Sequence, residues 1–315
     1  MNVRAVVERA VPRAIVLWLG PASRAPLDVF TRAFSLSFLL YLVGWSLYAR
    51  EWLTSYGHHV TKETIGRAYP SPAPLVPDGW QGLAVVVFFA AALGATLFPR
   101  SIVALAGALA VAVYIQLVDQ TAAFTLNKIF IVGYAVALAG CFASSMSKDA
   151  ASPLARVSAW PIRTLQATIL LQYGTAGTCK IFFGDWLRRS DILLTHSVGL
   201  YRTEIAGFVI AHAPAFAWTL LGIGALGFEL FAPVVFVWRK TRLFAALFGV
   251  AFHLSIAVLM KDLIYFSAQM ITFYLLFLDE DRAERVEQKT RGVLAAIVHS
   301  LFGRRSTGTP SGSGT

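Results

Sequence analysis

Eight blocks of apolar residues follow one another along this chain, at about 29–48, 80–98, 101–118, 129–146, 164–183, 214–238, 243–260 and 263–278. Each is close to the ~20 residues a helix needs to cross the hydrocarbon of a bilayer. Backbone polar groups in lipid must be satisfied within their own segment, so helices are the default. Of the 315 residues, 57% are hydrophobic and 14% charged, and the mean hydropathy is +0.64. A soluble domain has roughly 45–50% and 25%, and its core cannot absorb such an excess. The expected fold is an all-α integral membrane protein, a bundle of about eight transmembrane helices with amphipathic helices at both ends.

The flanks read differently from the blocks. Over residues 2–19, Val3, Val7, Val11, Ile15 and Trp18 fall on one helical face with Asn2, Arg9 and Arg13 opposite, which describes a helix lying on the membrane surface. The expected organisation is an interfacial helix at 1–20, a transmembrane domain at 25–280, an amphipathic helix at 281–303 and a disordered Gly/Ser/Thr-rich end at 304–315. The stretch Ala14 to Gly20 is barely long enough for the apolar region of a signal peptide, so the first span is expected to do the targeting. Cys141 and Cys179, the two cysteines, sit near opposite membrane faces and make poor disulfide partners.

Lysine and arginine fix an orientation, because positive charges near short loops stay in the cytoplasm. With the N-terminus inside, the inner segments hold eighteen of them and the outer segments eight. The inner set runs from Arg4, Arg9, Arg13, Arg24 and Arg32 through Arg100, then Lys148, Arg156 and Arg163, then Arg239, Lys240 and Arg242, to six in the tail. An even number of spans with both termini cytoplasmic follows. The same bias accounts for the net charge of +10, and no nucleic-acid partner is implied.

Ionisable residues inside a span are costly and mark functional sites by default. Lys180, Glu229 and His253 are the three such residues. Glu229 and His253 flank the turn Arg239-Lys240-Thr241-Arg242, ten residues before and eleven after, roughly 15 Å above the inner boundary. The short turn makes their helices antiparallel neighbours and lets the two side chains touch. One reading is a proton-handling or ligand-binding pair; the other is mutual neutralisation that fixes helix register. Lys180 lies roughly 24 Å from the inner side. A lysine there either snorkels to the interface or faces inward with Tyr173, Ala176, Gly177 and Gly184, whose small members permit close helix packing.

Other polar residues carry less. Gln166, Gln172 and Gln269 suit interhelical hydrogen bonds, and His58 and His59 stand in a loop without a third metal ligand. No phosphate-binding loop, dinucleotide fingerprint, zinc-protease or nucleophile-elbow motif is present, which leaves soluble enzyme classes without support.

The run Leu171-Gln172-Tyr173-Gly174-Thr175-Ala176-Gly177-Thr178-Cys179-Lys180, followed by Gly184-Asp185-Trp186, resembles a segment of the vitamin K-dependent gamma-glutamyl carboxylase family. Phe228-Glu229-Leu230 with Pro233, the pair Phe252-His253, and the run from Phe266-Ser267 through Met270 to Leu278 are similar in order and spacing. The bacterial version of this membrane domain is the HTTM (horizontally transferred transmembrane) domain, and SdpB-type membrane proteins are relatives. The resemblance implies a bacterial multi-pass protein of the inner (plasma) membrane. It also implies a reduced quinone, menaquinol or vitamin K hydroquinone-like, with Lys180 as the base, Glu229 and His253 as proton-handling partners, and Tyr173, Gly177 and Trp186 around the quinol. Asn127-Lys128 stands where the carboxylase has asparagine and histidine, which puts the assisting role of that position in doubt. The carboxylase's large lumenal domain has no counterpart in these residues, so carboxylation of a tethered protein is not expected. The partners implied are the bilayer, a quinol and a peptide or small-molecule substrate. The competing expectation is a non-catalytic helper in peptide maturation, export or immunity.

Overall fold

A computed structural model describes residues 15–59, 73–118, 124–145, 156–189, 191–199 and 202–302. Most of the surface helix expected over 2–19 and all of the tail at 304–315 lie outside these residues, although 15–19 are helical. The described elements are almost entirely helical: α1 (Ala25–Leu47), α2 (Ala49–Leu53), α3 (Gln81–Leu97), α4 (Ile102–Val118), α5 (Phe124–Ser145), α6 (Trp160–Phe182), α7 (Ile192–Val198), α8 (Glu204–His212), α9 (Ala215–Val235), α10 (Arg242–Leu259), α11 (Ile264–Thr272), which continues as a 3₁₀ turn over Phe273–Phe277, and α12 (Glu280–Phe302). A helix stands at each of the eight apolar blocks. Ala25–Leu47, Leu126–Ser145, Ala215–Val235 and Arg242–Leu259 are long and apolar enough to cross a membrane. Gln81–Leu97, Ile102–Val118 and Ile264–Phe277 are apolar but shorter; α6 is long enough yet too polar to qualify.

The sequence does not betray one feature. Pro21–Ser23 (β1) and Arg156–Ser158 (β2) pair antiparallel, Pro21 opposite Ser158, and bring the starts of α1 and α6 together. Two three-residue strands are too short to show the alternation by which a strand is recognised.

The core is built on α1. Phe30, Phe34, Phe38 and Tyr41 recur at helical spacing and are buried. They meet Phe130 and Tyr134 of α5 and Phe273 of the 3₁₀ turn, with ring centroids 5.1 Å apart for Phe34 and Phe130 and 4.6 Å for Phe38 and Phe130. Offset and edge-on aromatic pairs of this kind add specific geometry to the burial of area. The α3–α4 hairpin packs through small residues, Gly94 against Ala104 and Ala91 against Gly107, which lets the backbones approach where lipid offers no hydrophobic drive.

At the arginine-rich end, the charges that set orientation are also structural. Asp28, in the first turn of α1, accepts from Arg24 Nε at 3.1 Å and Arg100 Nε at 2.8 Å, and Arg291 of α12 lies 3.6 Å away. Glu287 of α12 accepts from Arg32 Nε at 3.1 Å and Arg291 Nε at 2.7 Å. Arg32 also donates to the carbonyls of Thr96 and Leu97 at 2.7 and 2.9 Å, closing the otherwise orphaned end of α3. Asp28 and Glu287 are buried, their side chains 1% and 3% exposed. They bind α12 to the bundle through a fully hydrogen-bonded ionic lattice. Asp28 thus joins the ionisable residues within the helices, which the sequence reading confined to Lys180, Glu229 and His253.

Removing one member of such a lattice leaves its partners buried and uncompensated, a cost of about 3 kcal/mol or more. Asp28→Asn is therefore expected to lower the thermal unfolding temperature of the detergent-solubilised protein clearly. An unshifted transition would show that Arg24 and Arg100 do not depend on it.

Candidate functional site

The site begins with α6. Pro161 occupies its first turn, where a missing N–H costs nothing, and Tyr173, Ala176, Gly177 and Lys180 fall on one face at spacings of three and four. A Cβ built on Gly177 would lie 3.0 Å from the Leu230 side chain and 3.1 Å from its backbone nitrogen. A side chain here would press on Leu230 and tend to push α9 away. Pro233 of α9 likewise meets α6, at Gly174.

That approach decides the charge pairing. Lys180 Nζ donates to both carboxylate oxygens of Glu229. The ammonium also lies over the Trp186 ring, 4.7 Å from its centroid, a cation–π arrangement. Lys180 does not snorkel; its side chain is 26% exposed and that of Glu229 8%. The expected contact between Glu229 and His253 does not form. The short turn does join α9 to α10, but α9 packs mainly along α6, because the small residues of α6 admit it, and the space between α9 and α10 is left open.

His253 reaches a different partner. Its Nε2 lies 2.7 Å from Tyr173 Oη, which in turn lies 2.5 Å from Tyr274 Oη. Two proton arrangements satisfy this chain: Tyr274 donates to Tyr173 and Tyr173 to His253, or every bond runs the other way. His253 Nδ1 is buried and without a hydrogen-bond partner among the described residues. It presents a hydrogen in the first arrangement and a lone pair in the second. The chain relies on Gly249 of α10, where a Cβ would collide with the Tyr274 hydroxyl and approach Phe228 to 2.9 Å.

These groups wall one cavity of about 300 Å³. Tyr173, Lys180, Trp186, Glu229 and His253 all line it, so the structure gathers five of the six residues that the sequence singled out. Gly177 does not line it and acts at the helix contact. Lys128 is an exposed residue of α5 and is not on the cavity wall. Gln172 lines the cavity, whereas Gln166 and Gln269 cross-link helices by donating to Leu276 O at 2.7 Å and Leu126 O at 3.0 Å. Leu193 and His196 of α7 form part of the cavity wall, and His196 stacks on Trp186 with ring centroids 6.3 Å apart. The next segment is pinned to α10 by Thr203 Oγ1, which donates to Val258 O at 2.7 Å.

Sequence reasoning missed Tyr274 and His196. Tyr274 lies within the run 266–278 that carries the resemblance, which was the available signal; His196 sits in a loop-like stretch with no pattern to mark it.

A second, almost wholly apolar cavity of about 330 Å³ adjoins the first. It occupies the gap between α9 and α10 and shares Leu193, Ala225, Phe252, Ile256 and Met260 with it.

Residues 73–281, two-thirds of the chain, match the family model of the HTTM domain, and the chain belongs to that family. It is a membrane protein related to the membrane domain of the vitamin K-dependent carboxylase. The match starts just before α3 and ends in the first turn of α12, so it contains the whole cavity, while α1 precedes it. No curated protein and no solved structure matches the chain.

The pairing predicts a specific pattern of coupling. Lys180→Met strands a buried carboxylate and should destabilise the protein by about 3 kcal/mol, whereas Lys180→Met with Glu229→Leu should recover most of the loss. A double-mutant cycle of thermal unfolding in detergent measures this, and additive losses would show that the two side chains do not interact.

Proposed function

We propose that this protein binds a reduced quinone in the Lys180 cavity and promotes its oxygenation by dioxygen. The observation that carries the reading is the convergence of an amine, a carboxylate and a histidine–tyrosine chain on one partly open cavity beside an apolar annex. The residues fit such a substrate. A quinol ring can lie against Phe252, Phe266 and Met270, its hydroxyl can reach the Lys180–Glu229 pair on the same wall, and the space between α9 and α10 suits a prenyl tail. Menaquinol or a vitamin K hydroquinone-like compound has these parts.

In this mechanism Lys180 and Glu229 act as one unit. An amine is a base only when its lone pair is free, so Glu229 takes the ammonium proton as Lys180 turns to the quinol hydroxyl. The chain from His253 through Tyr173 to Tyr274 moves the second proton. Overall, quinol and dioxygen give quinone epoxide and water: the quinol is oxidised, one oxygen atom enters the ring and the other leaves as water. Any peptide or small molecule modified in concert would meet the cavity at α7.

Around this site we place eight membrane-crossing helices, with α3, α4, α6 and the α11–3₁₀ unit completing the bundle, both termini in the cytoplasm and the protein in the inner membrane of a bacterium. The arginine-rich end, with Arg100, Arg163, Arg239 and Arg242, is then cytoplasmic, and Lys180 lies toward the outer face. A second reading is a helper in peptide maturation, export or immunity that keeps the fold without the chemistry. It is favoured by the way Lys180 and Glu229 satisfy each other.

The purified protein is expected to carry menaquinone, detectable by mass spectrometry of its lipid extract, and to convert added quinol to epoxide in air. Lys180→Ala should reduce that conversion by about 10²-fold or more while expression and retention on size-exclusion chromatography are kept. Equal behaviour of wild type and variant with quinol would leave the helper reading in possession.

A further inference from the structure

A third cavity, of about 460 Å³, opens at the other end of α6. Arg163, on its wall, precedes Lys180 by seventeen residues, or roughly 25 Å of helix, so the two sites face opposite ends of the bundle. Three arginines line it, Arg163, Arg239 and Arg242, together with three carboxylates, Asp279, Glu280 and Asp281. The formal charges cancel, but the partners do not match up. Arg239 pairs with Asp279 at 3.1 Å, and Glu280 with Arg156 at 3.4 Å. Among the described residues Arg163 and Arg242, both half-buried, donate to neutral acceptors: Arg163 to Gln166 Oε1 at 2.8 Å and Leu17 O at 3.4 Å, Arg242 to Phe236 O at 3.0 Å and Val237 O at 3.2 Å. Asp281 has no ion-pair partner among the described residues.

Two guanidinium groups and a carboxylate that line one cavity without an ion-pair partner among the described residues form a receptor for a dipolar ligand. The guanidinium fork matches a phosphate. A carboxylate in the same cavity matches a primary ammonium, which has three hydrogens to donate. The position indicates where such a ligand comes from. Trp238, 64% exposed, stands next to Arg239, and an outward-facing tryptophan beside arginine marks the depth of lipid headgroups. We propose that this cavity binds the phosphoethanolamine headgroup of a membrane phospholipid, the phosphate on Arg163 and Arg242 and the ammonium toward Asp281. A phosphoglycerol head has no cation for the carboxylate, and a phosphocholine head has no N–H to donate to it.

The test is native mass spectrometry of the full chain, delipidated in detergent and offered equal amounts of phosphatidylethanolamine, phosphatidylglycerol and phosphatidylcholine with identical acyl chains. The expected result is an ethanolamine-lipid adduct favoured about tenfold over each of the others, the worth of one charge-assisted hydrogen bond. Arg163→Gln with Arg242→Gln should abolish the adduct. Asp281→Asn, at an exposed position where folding is not at stake, should narrow the preference over phosphatidylglycerol. Equal or stronger retention of phosphatidylglycerol by the wild type would overturn the proposal, as would an unchanged adduct in the double-arginine variant or an undiminished preference in Asp281→Asn. Displacement of the lipid by soluble phosphoethanolamine would overturn its assignment to the bilayer; failure of that competitor supports it.

Discussion

An ammonium group within a helical bundle must be compensated where it stands, and the contact of Lys180 with Glu229 meets that demand for this protein. Its reach is wider than two side chains. It fixes α6 against α9, and Gly177 opens the approach that makes the contact possible. Because α9 leans to α6, it parts from α10, and the vacated gap becomes the apolar annex. Because Glu229 is occupied, His253 turns to Tyr173, and its buried Nδ1 is left without a partner among the described residues. One ionic contact thus sets the packing, the shape of the cavity and the hydrogen bonds left over for a ligand.

The sequence makes some of this legible and hides the rest for definite reasons. Apolar blocks announce the eight helices, and an ionisable residue in such a block stands out, so Lys180, Glu229 and His253 are visible at once. Spacing along a helix gives depth and face, which is how Tyr173 joins Lys180. Partner choice is another matter. A short turn shows that α9 and α10 are consecutive, but not that the small residues of α6 compete for α9 and prevail. Tyr274 hides because a tyrosine in an apolar run is ordinary, and Gly249 because its purpose is the absence of a clash with a hydroxyl 25 residues further on. Asp28 and Arg32 lie at the edge of the first block, where charges read as orientation signals, and only their burial with Glu287 shows them to be structural.

The arginines at this end of the bundle do more than carry charge. A positive residue at a membrane surface needs no partner in water, but here Arg24, Arg32 and Arg100 are folded in against carboxylates. Arg163 and Arg242, which have no ion-pair partner among the described residues, line an open space. Polar chemistry is accordingly concentrated at the two ends of α6, with the aromatic core of α1 and α5 between them.

Pro233 gives the carboxylate of α9 an unusual mechanical setting. Proline has no amide hydrogen, so the helical bond that would run from residue 233 to the carbonyl of Glu229 is missing. The carbonyl of Glu229 thus lacks its helical donor on the very turn that presses Pro233 against Gly174 of α6, so the ion pair and the gap in the backbone ladder share one turn of α9.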